Sequence, residues 1–114
     1  MRDLYEVLYT DNFNQVDSYG QTPLHIASYR GMVDLVKYLI EQKVDLDVKD
    51  ITGQTPLHLA ASMDRVEVCR LLVQAGAEPH IPDDNGMKPW FWAEQNGNEK
   101  LRVDLGGDIR FTIR

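Results

Sequence analysis

One segment of the chain recurs almost unchanged, and this recurrence limits the possible folds more than any other feature of the sequence. The nine residues from Asp17 to His25 read D-S-Y-G-Q-T-P-L-H, and those from Asp50 to His58 read D-I-T-G-Q-T-P-L-H. The offset from position 17 to position 50 is 33 residues, and an eroded third copy begins a further 33 residues along, at Asp83. A fixed period of this length indicates a solenoid, in which each unit packs only on its neighbours.

Each position of the repeated segment has a physical role that its residue type suggests. Gly20 suits a turn with a positive φ angle, which glycine adopts without steric penalty. Thr22 can cap a helix, and Pro23 then falls at the first helical position, where its missing N–H costs nothing. The second copy has the same residues, whereas the third has Lys88 in place of the threonine and so loses the predicted cap.

A second amphipathic run follows each of the two clear copies, over residues 33–40 and 66–73. Its apolar residues recur with a helical period. Gly31 separates the two runs in the first unit, and Asp64, which tolerates a left-handed conformation better than most residues, takes its place in the second. Each unit therefore reads as turn, helix, short link, helix and connecting hairpin.

A 33-residue unit that opens D-x-x-G-x-T-P-L-H resembles the ankyrin repeat. The resemblance implies an all-α solenoid of stacked helix-turn-helix units joined by β-hairpin-like loops. We expect one ankyrin-repeat domain over residues 1–105. It divides into an N-terminal cap remnant (1–16, with Leu4, Val7 and Leu8 on its outer helix), two repeats (17–49 and 50–82) and a C-capping repeat (83–105).

The C-terminal end departs from this pattern. Arg102 and Asp104 take positions that are apolar in the earlier units, so we expect the last helix to present a polar outer face and the array to stop there. Residues 106–114 begin with Gly106-Gly107 and then alternate like a strand. This tail is compatible with packing on the Trp90 and Trp92 cluster, with pairing to a partner, or with the start of a further domain.

Composition restricts the class of partner and the compartment. The formal net charge is −6 and the cationic residues are scattered, which argues against direct binding of nucleic acid. No run approaches the roughly 20 apolar residues that a membrane helix needs. The single cysteine, Cys69, cannot form an internal disulfide, so we expect a reducing compartment, the cytoplasm or the nucleus.

No pattern in the sequence predicts an enzyme, a metal site or a cofactor. His25 and His58 recur, and in ankyrin repeats this histidine links neighbouring units by hydrogen bonds, so we expect a structural role. Cys69 aligns with Val36 on a buried stripe, where a nucleophile is not expected. Asn14 lies at the hairpin position where ankyrin repeats can carry a hydroxylated asparagine, which makes it the one candidate for modification.

The resemblance instead implies a binding surface on the concave face, made by the turn tips and the exposed side of the inner helices. Several residues at these positions are of types enriched at interfaces. Carried over position by position, the predicted binding residues are Tyr19, Gln21, Tyr29, Arg30, Lys49, Ile51, Gln54, Met63 and Met87. We predict a monomeric module that binds a partner protein or peptide as an adaptor or scaffold; the alternative is a stoichiometric inhibitor of an enzyme such as a kinase.

Overall fold

A computed structural model describes residues 13–107, and within them the chain forms six helices arranged as three consecutive pairs. The helices are α1 (Pro23–Arg30), α2 (Val33–Glu41), α3 (Pro56–Ser62), α4 (Val66–Gln74), α5 (Pro89–Gln95) and α6 (Glu99–Asp104). The predicted all-α class is confirmed. The expectations for Leu4, Val7 and Leu8 and for the tail from residue 108 onward lie outside the described residues.

The first helix of each clear repeat begins where the threonine cap was predicted. Thr22 Oγ1 accepts a hydrogen bond from the backbone N–H of His25, and Thr55 Oγ1 accepts the equivalent bond from His58. A proline at the first helical position follows each cap. Lys88 makes no such bond at the start of α5, so the predicted loss of the cap is confirmed.

The inner helices α1, α3 and α5 pack side by side, and α2, α4 and α6 form a second layer behind them. Three alanines at equivalent positions, Ala27, Ala60 and Ala93, are fully buried and allow the inner helices to approach closely. The core between the layers consists of buried aliphatic side chains such as Leu24, Leu39, Leu57, Val68 and Leu72. Removing this apolar surface from water is the main force that holds each repeat on the next.

The turns have the positive φ angles that the sequence predicted. Gly20 has a φ of 74°, and a Cβ atom there would lie 3.2 Å from the backbone nitrogen of Ile51 in the next turn. Asp64 has a φ of 58° at the break between α3 and α4, as expected from its alignment with a glycine. Lys43, at 62°, is a further non-glycine residue with positive φ.

The last helix differs from the expectation at Arg102. Its side chain is only 2% exposed, so it does not contribute to a polar outer face. Its guanidinium forms an ion pair with Glu99, and its side chain packs closely against the backbone of Gly107. The charge at this normally apolar position is neutralised locally. Asp104 is exposed as predicted and pairs with Lys100 Nζ at 3.2 Å.

Candidate protein-interaction surface

An aspartate fixes the shape of every turn that precedes an inner helix. Asp17 Oδ1 accepts hydrogen bonds from the backbone N–H groups of Tyr19 and Gln21, both at 2.9 Å. Asp50 Oδ1 makes the corresponding bonds to Thr52 and Gln54, at 2.9 and 3.0 Å. The repeated motif contains these aspartates, but no role was predicted for them. Their recurrence three positions before each turn glycine could have revealed the role, because a side-chain carboxylate that caps its own turn is a known local motif.

The hydrogen bonds keep the turn aspartates ionised. Burial would by itself raise the pKa of Asp50, but the backbone N–H of Gln54 and both donors of Thr52 outweigh it and bring the pKa below the ordinary 3.8. The pKa of Asp83 is lowered in the same way, against the raising effect of burial, by bonds from Met87, Gln54 and Asn85. The carboxylates of Asp50 and Asp83 are therefore ionised and accept hydrogen bonds from groups of the protein itself.

Two buried histidines join each repeat to the following one. The backbone N–H of Thr22 donates to Nδ1 of His25 at 3.0 Å, so Nδ1 must be unprotonated and Nε2 must carry the proton. His25 Nε2 then donates to the carbonyl oxygen of Gln54 in the next turn, at 2.9 Å. His58 repeats the arrangement with Thr55 and the carbonyl of Met87. The structural role predicted for both histidines is confirmed.

The surroundings of these histidines favour the neutral ring. Burial lowers the pKa of His25 and of His58 below the ordinary 6.5, although the bonds to the Gln54 and Met87 carbonyls act in the opposite direction. Protonation of Nδ1 would also place a proton against the N–H of Thr22 or Thr55. Both histidines are thus held as neutral linkers near pH 7.

Two of the predicted binding residues occupy adjacent turn tips. Tyr19 is 57% exposed and Ile51 is 63% exposed. The backbone N–H of Ile51 donates to the carbonyl oxygen of Tyr19 at 3.0 Å, which holds one tip beside the next. The side chains of Tyr19 and Ile51 are therefore presented to solvent from backbones that hydrogen bonds hold in place.

A second group of predicted binding residues lies at the ends of the inner helices. Tyr29 and Arg30 end α1, and Met63 caps the C-terminus of α3; all three are exposed. Arg65 Nε donates to the carbonyl oxygen of Tyr29 at 3.2 Å and so connects these two helix ends. Lys49, just before the second turn, is exposed as well. We refer to Tyr19, Tyr29, Arg30, Lys49, Ile51 and Met63 as the exposed patch.

The remaining predicted binding residues are less exposed and so less accessible to a partner. Gln21, Gln54 and Met87 are only partly exposed. The side-chain amide of Gln54 donates to Asp83 Oδ2 at 3.1 Å, so it connects two turns of the protein itself. A partner would have to compete with this bond in order to use the Gln54 amide.

One exposed apolar residue of this face was missed at the sequence level. Val16 is half exposed and lies 33 residues before Lys49, at the equivalent position of the preceding unit. The period could have identified it, but the unit before Asp17 is too degraded to align without a gap. Asn14, the candidate for hydroxylation, is exposed close by.

Cys69 and the grooves on the other side of the molecule do not belong to this surface. Cys69 is buried, and burial raises the pKa of its thiol to about 12, so it is not a nucleophile at neutral pH. It lines a groove of about 220 Å³ between α4 and α6, together with Val66, Val73 and Leu101. Across residues 13–107, no three potential metal-ligating side chains come together.

Comparison with known families identifies the class of protein. A family model described as ankyrin repeats, in three copies, matches residues 2–83 and 52–105. The chain therefore belongs to the ankyrin-repeat family, whose members are generally protein–protein interaction modules and typically non-catalytic. No curated protein matches the chain. None of the described helices is long and apolar enough to cross a membrane.

Proposed function

We propose that this chain is a protein-interaction module with an adaptor or scaffold role, which binds a partner protein or peptide segment through the exposed patch. The observation that carries the proposal is the distribution of exposed apolar side chains. Eight large ones are exposed within residues 13–107; four of them, Tyr19, Tyr29, Ile51 and Met63, belong to the patch, and a fifth, Val16, lies on the same face. Single exposed apolar residues are ordinary, but their concentration on one face is typical of a binding site.

The patch is also held in place before any partner arrives. The turn aspartates and the histidine links fix the backbone on which Tyr19 and Ile51 stand. Binding to a rigid surface loses less conformational freedom than binding to a flexible one, so more of the contact energy contributes to affinity. Tyrosine and arginine are in addition the side chains that most often dominate binding energy at interfaces.

The proposal is tested by affinity enrichment from a cell lysate with three baits, each checked for folding by circular dichroism. The baits are the unaltered chain, the Tyr19→Ala/Tyr29→Ala/Ile51→Ala/Met63→Ala variant, and a control variant, Tyr38→Ala/Val103→Ala. The control removes exposed apolar side chains from the outer helices α2 and α6 instead of the patch. We expect a protein that is enriched by the unaltered chain and the control but lost with the patch variant. Equal enrichment by all three baits would place the binding site elsewhere.

A further inference from the structure

We propose that Asn85 is a site of spontaneous deamidation, whereas the fold protects Asn96 from the same reaction. This inference is independent of the function proposed above. The sequence has two asparagines that a glycine follows, in the pairs Asn85-Gly86 and Asn96-Gly97. In such a pair the backbone nitrogen of the glycine can attack the side-chain amide of the asparagine, because glycine has no Cβ atom to obstruct the approach.

The reaction needs no reagent other than water. The backbone nitrogen of the glycine forms a bond to Cγ of the asparagine and loses its proton, and the side-chain nitrogen leaves as ammonia. Water then opens the cyclic imide at one of its two carbonyls, which gives either an aspartate or an isoaspartate. Both products carry a carboxylate in place of a neutral amide. In the isoaspartate the main chain also runs through the side chain and is longer by one methylene group.

Asn85 has the surroundings that the attack requires. It lies in the turn before α5, and both Asn85 and Gly86 are exposed. The backbone N–H of Asn85 donates to Asp83 Oδ1 at 2.9 Å, but its side-chain amide forms no hydrogen bond within residues 13–107. A Cβ atom on Gly86 would meet no other atom within 4 Å, so there is space for the ring to close. The side-chain amide of Asn85 is therefore free to turn toward the Gly86 nitrogen.

The side-chain amide of Asn96 is instead held between two repeats. Its Nδ2 donates to the carbonyl oxygens of Ala61 and Ser62 at the end of α3, both at 3.0 Å. Gly97 is as exposed and as unobstructed as Gly86, and the backbone nitrogen of each glycine donates to the carbonyl three residues earlier. The two pairs therefore differ chiefly in the side-chain amide. Attack at Asn96 would first have to break two hydrogen bonds that join α5 to α3.

Deamidation of Asn85 would alter the turn that receives the link from the second repeat. Asp83 Oδ1 accepts the N–H groups of Asn85 and Met87, and the N–H of Asp83 donates to the Met87 carbonyl at 2.8 Å. The same carbonyl accepts the bond from His58. An extra methylene group in the main chain between Asp83 and Met87 would disturb this closure. We therefore expect the isoaspartate form to be less stable than the unmodified protein.

The test incubates the full chain at pH 8 and 37 °C in water enriched in oxygen-18, either folded or unfolded in guanidinium chloride. The heavy oxygen labels each carboxylate that forms during the incubation. Digestion after glutamate at mildly acidic pH then places the two pairs in separate peptides, because Glu94 lies between them. Mass spectrometry with fragmentation measures the labelled fraction at Asn85 and at Asn96. The unfolded chain is the matched control, since neither pair has its native contacts there.

In the folded protein, the labelled fraction at Asn85 should exceed that at Asn96 at least fivefold, whereas in the unfolded chain the two should differ by less than twofold. Equal labelling in the folded protein, or no labelling at Asn85, would overturn the proposal. A fivefold difference that persisted in the unfolded chain would also overturn it, because the local sequence would then be the cause.

The Asn85→Gln variant tests the effect on the turn. After the same incubation of the folded proteins, the unaltered chain should have a lower urea midpoint than before, and the variant should keep its own. An unchanged midpoint in a sample rich in isoaspartate at position 85 would refute the predicted loss of stability.

Discussion

His25 and His58 show how single side chains determine the stability of the array. Each ring accepts a backbone N–H within its own repeat and donates to a carbonyl of the next, and each is fully buried. Removing one ring leaves the buried N–H of Thr22 or Thr55 unpaired and opens a cavity, while the carbonyl of Gln54 or Met87 keeps its bond from the turn aspartate's N–H.

We therefore expect His25→Ala to lower the free energy of unfolding by about 2–4 kcal/mol. His80, which is exposed, provides the matched control, and His80→Ala should change the stability by less than about 0.5 kcal/mol. Urea denaturation followed by circular dichroism measures both values. Equal effects of the two substitutions would mean that the inter-repeat bond contributes nothing measurable.

The same histidines predict how stability depends on pH. Their pKa values are lowered in the folded protein, so as the pH falls through about 6.5 the unfolded chain takes up protons that the folded one does not. The stability they contribute is therefore present above pH 6.5 and lost below it. A second loss should begin as the pH falls through about 3.8, because the pKa values of Asp50 and Asp83 are also lowered.

Urea midpoints measured between pH 7.5 and pH 5 should fall steadily below pH 6.5. In the His25→Gln/His58→Gln variant, this part of the slope should disappear even if the protein is less stable throughout. A variant that kept the full slope would show that other groups cause it.

The hydrogen bonds of individual side chains could be predicted only in part from the sequence. The roles of Thr22 and His25 could be predicted because their recurrence matches a known motif. The internal use of the Gln54 amide could not, because it depends on the distance to Asp83 in the neighbouring turn. Such a contact between repeats is set by how the units stack, and no local pattern encodes it.

At the scale of helices, the end of α2 departs from the optimal residue type. Lys43 follows α2 with a φ of 62°, at the position that Gly76 occupies after α4. A left-handed conformation costs a residue with a Cβ atom about 1–2 kcal/mol, which exceeds the entropic cost of glycine.

Lys43→Gly should thus raise the free energy of unfolding by about 0.5–1 kcal/mol, whereas Gly76→Lys should lower it by about 1 kcal/mol. Thermal and urea denaturation of the pair give the comparison. The strain assigned to Lys43 would be refuted if its replacement by glycine destabilised the protein.

The start of α5 offers a second test at this scale. Lys88 makes no capping bond, while Thr22 and Thr55 do so at the equivalent positions. We expect Lys88→Thr to stabilise the protein by about 0.5–1 kcal/mol and Thr55→Ala to destabilise it by about 1 kcal/mol. An unchanged midpoint for Lys88→Thr would indicate that the backbone before α5 does not allow a side-chain cap.

Helix positions were predictable to a greater extent than the environment of each side chain. The period and the Thr-Pro pairs identified the inner helices, and the apolar spacing identified α2 and α4. The burial of Arg102 was not predictable, because a charged residue at an apolar position normally indicates an exposed face. Its neutralisation depends on Glu99, one turn earlier on the same helix.

At the scale of the whole molecule, the two sides of the array have different chemistry. The outer helices α4 and α6 carry ion pairs within the helix, and the turns and inner-helix ends of the first two clear repeats carry the exposed patch. Because each repeat adds only a few exposed residues, a binding surface arises when successive turns stand side by side. The Ile51 to Tyr19 bond provides this arrangement between the first two turns, and the Asp84 to Thr52 bond provides it between the next two.

We expect a partner to bind across the turn tips and inner-helix ends. Amide hydrogen exchange of the full chain, with and without a protein whose enrichment is lost with the patch variant, tests it most directly. We expect slower exchange at residues 17–21 and 50–54 and at the C-terminal ends of α1 and α3, with little change in α2, α4 and α6. Protection confined to the outer helices would show that the partner binds the opposite side of the array.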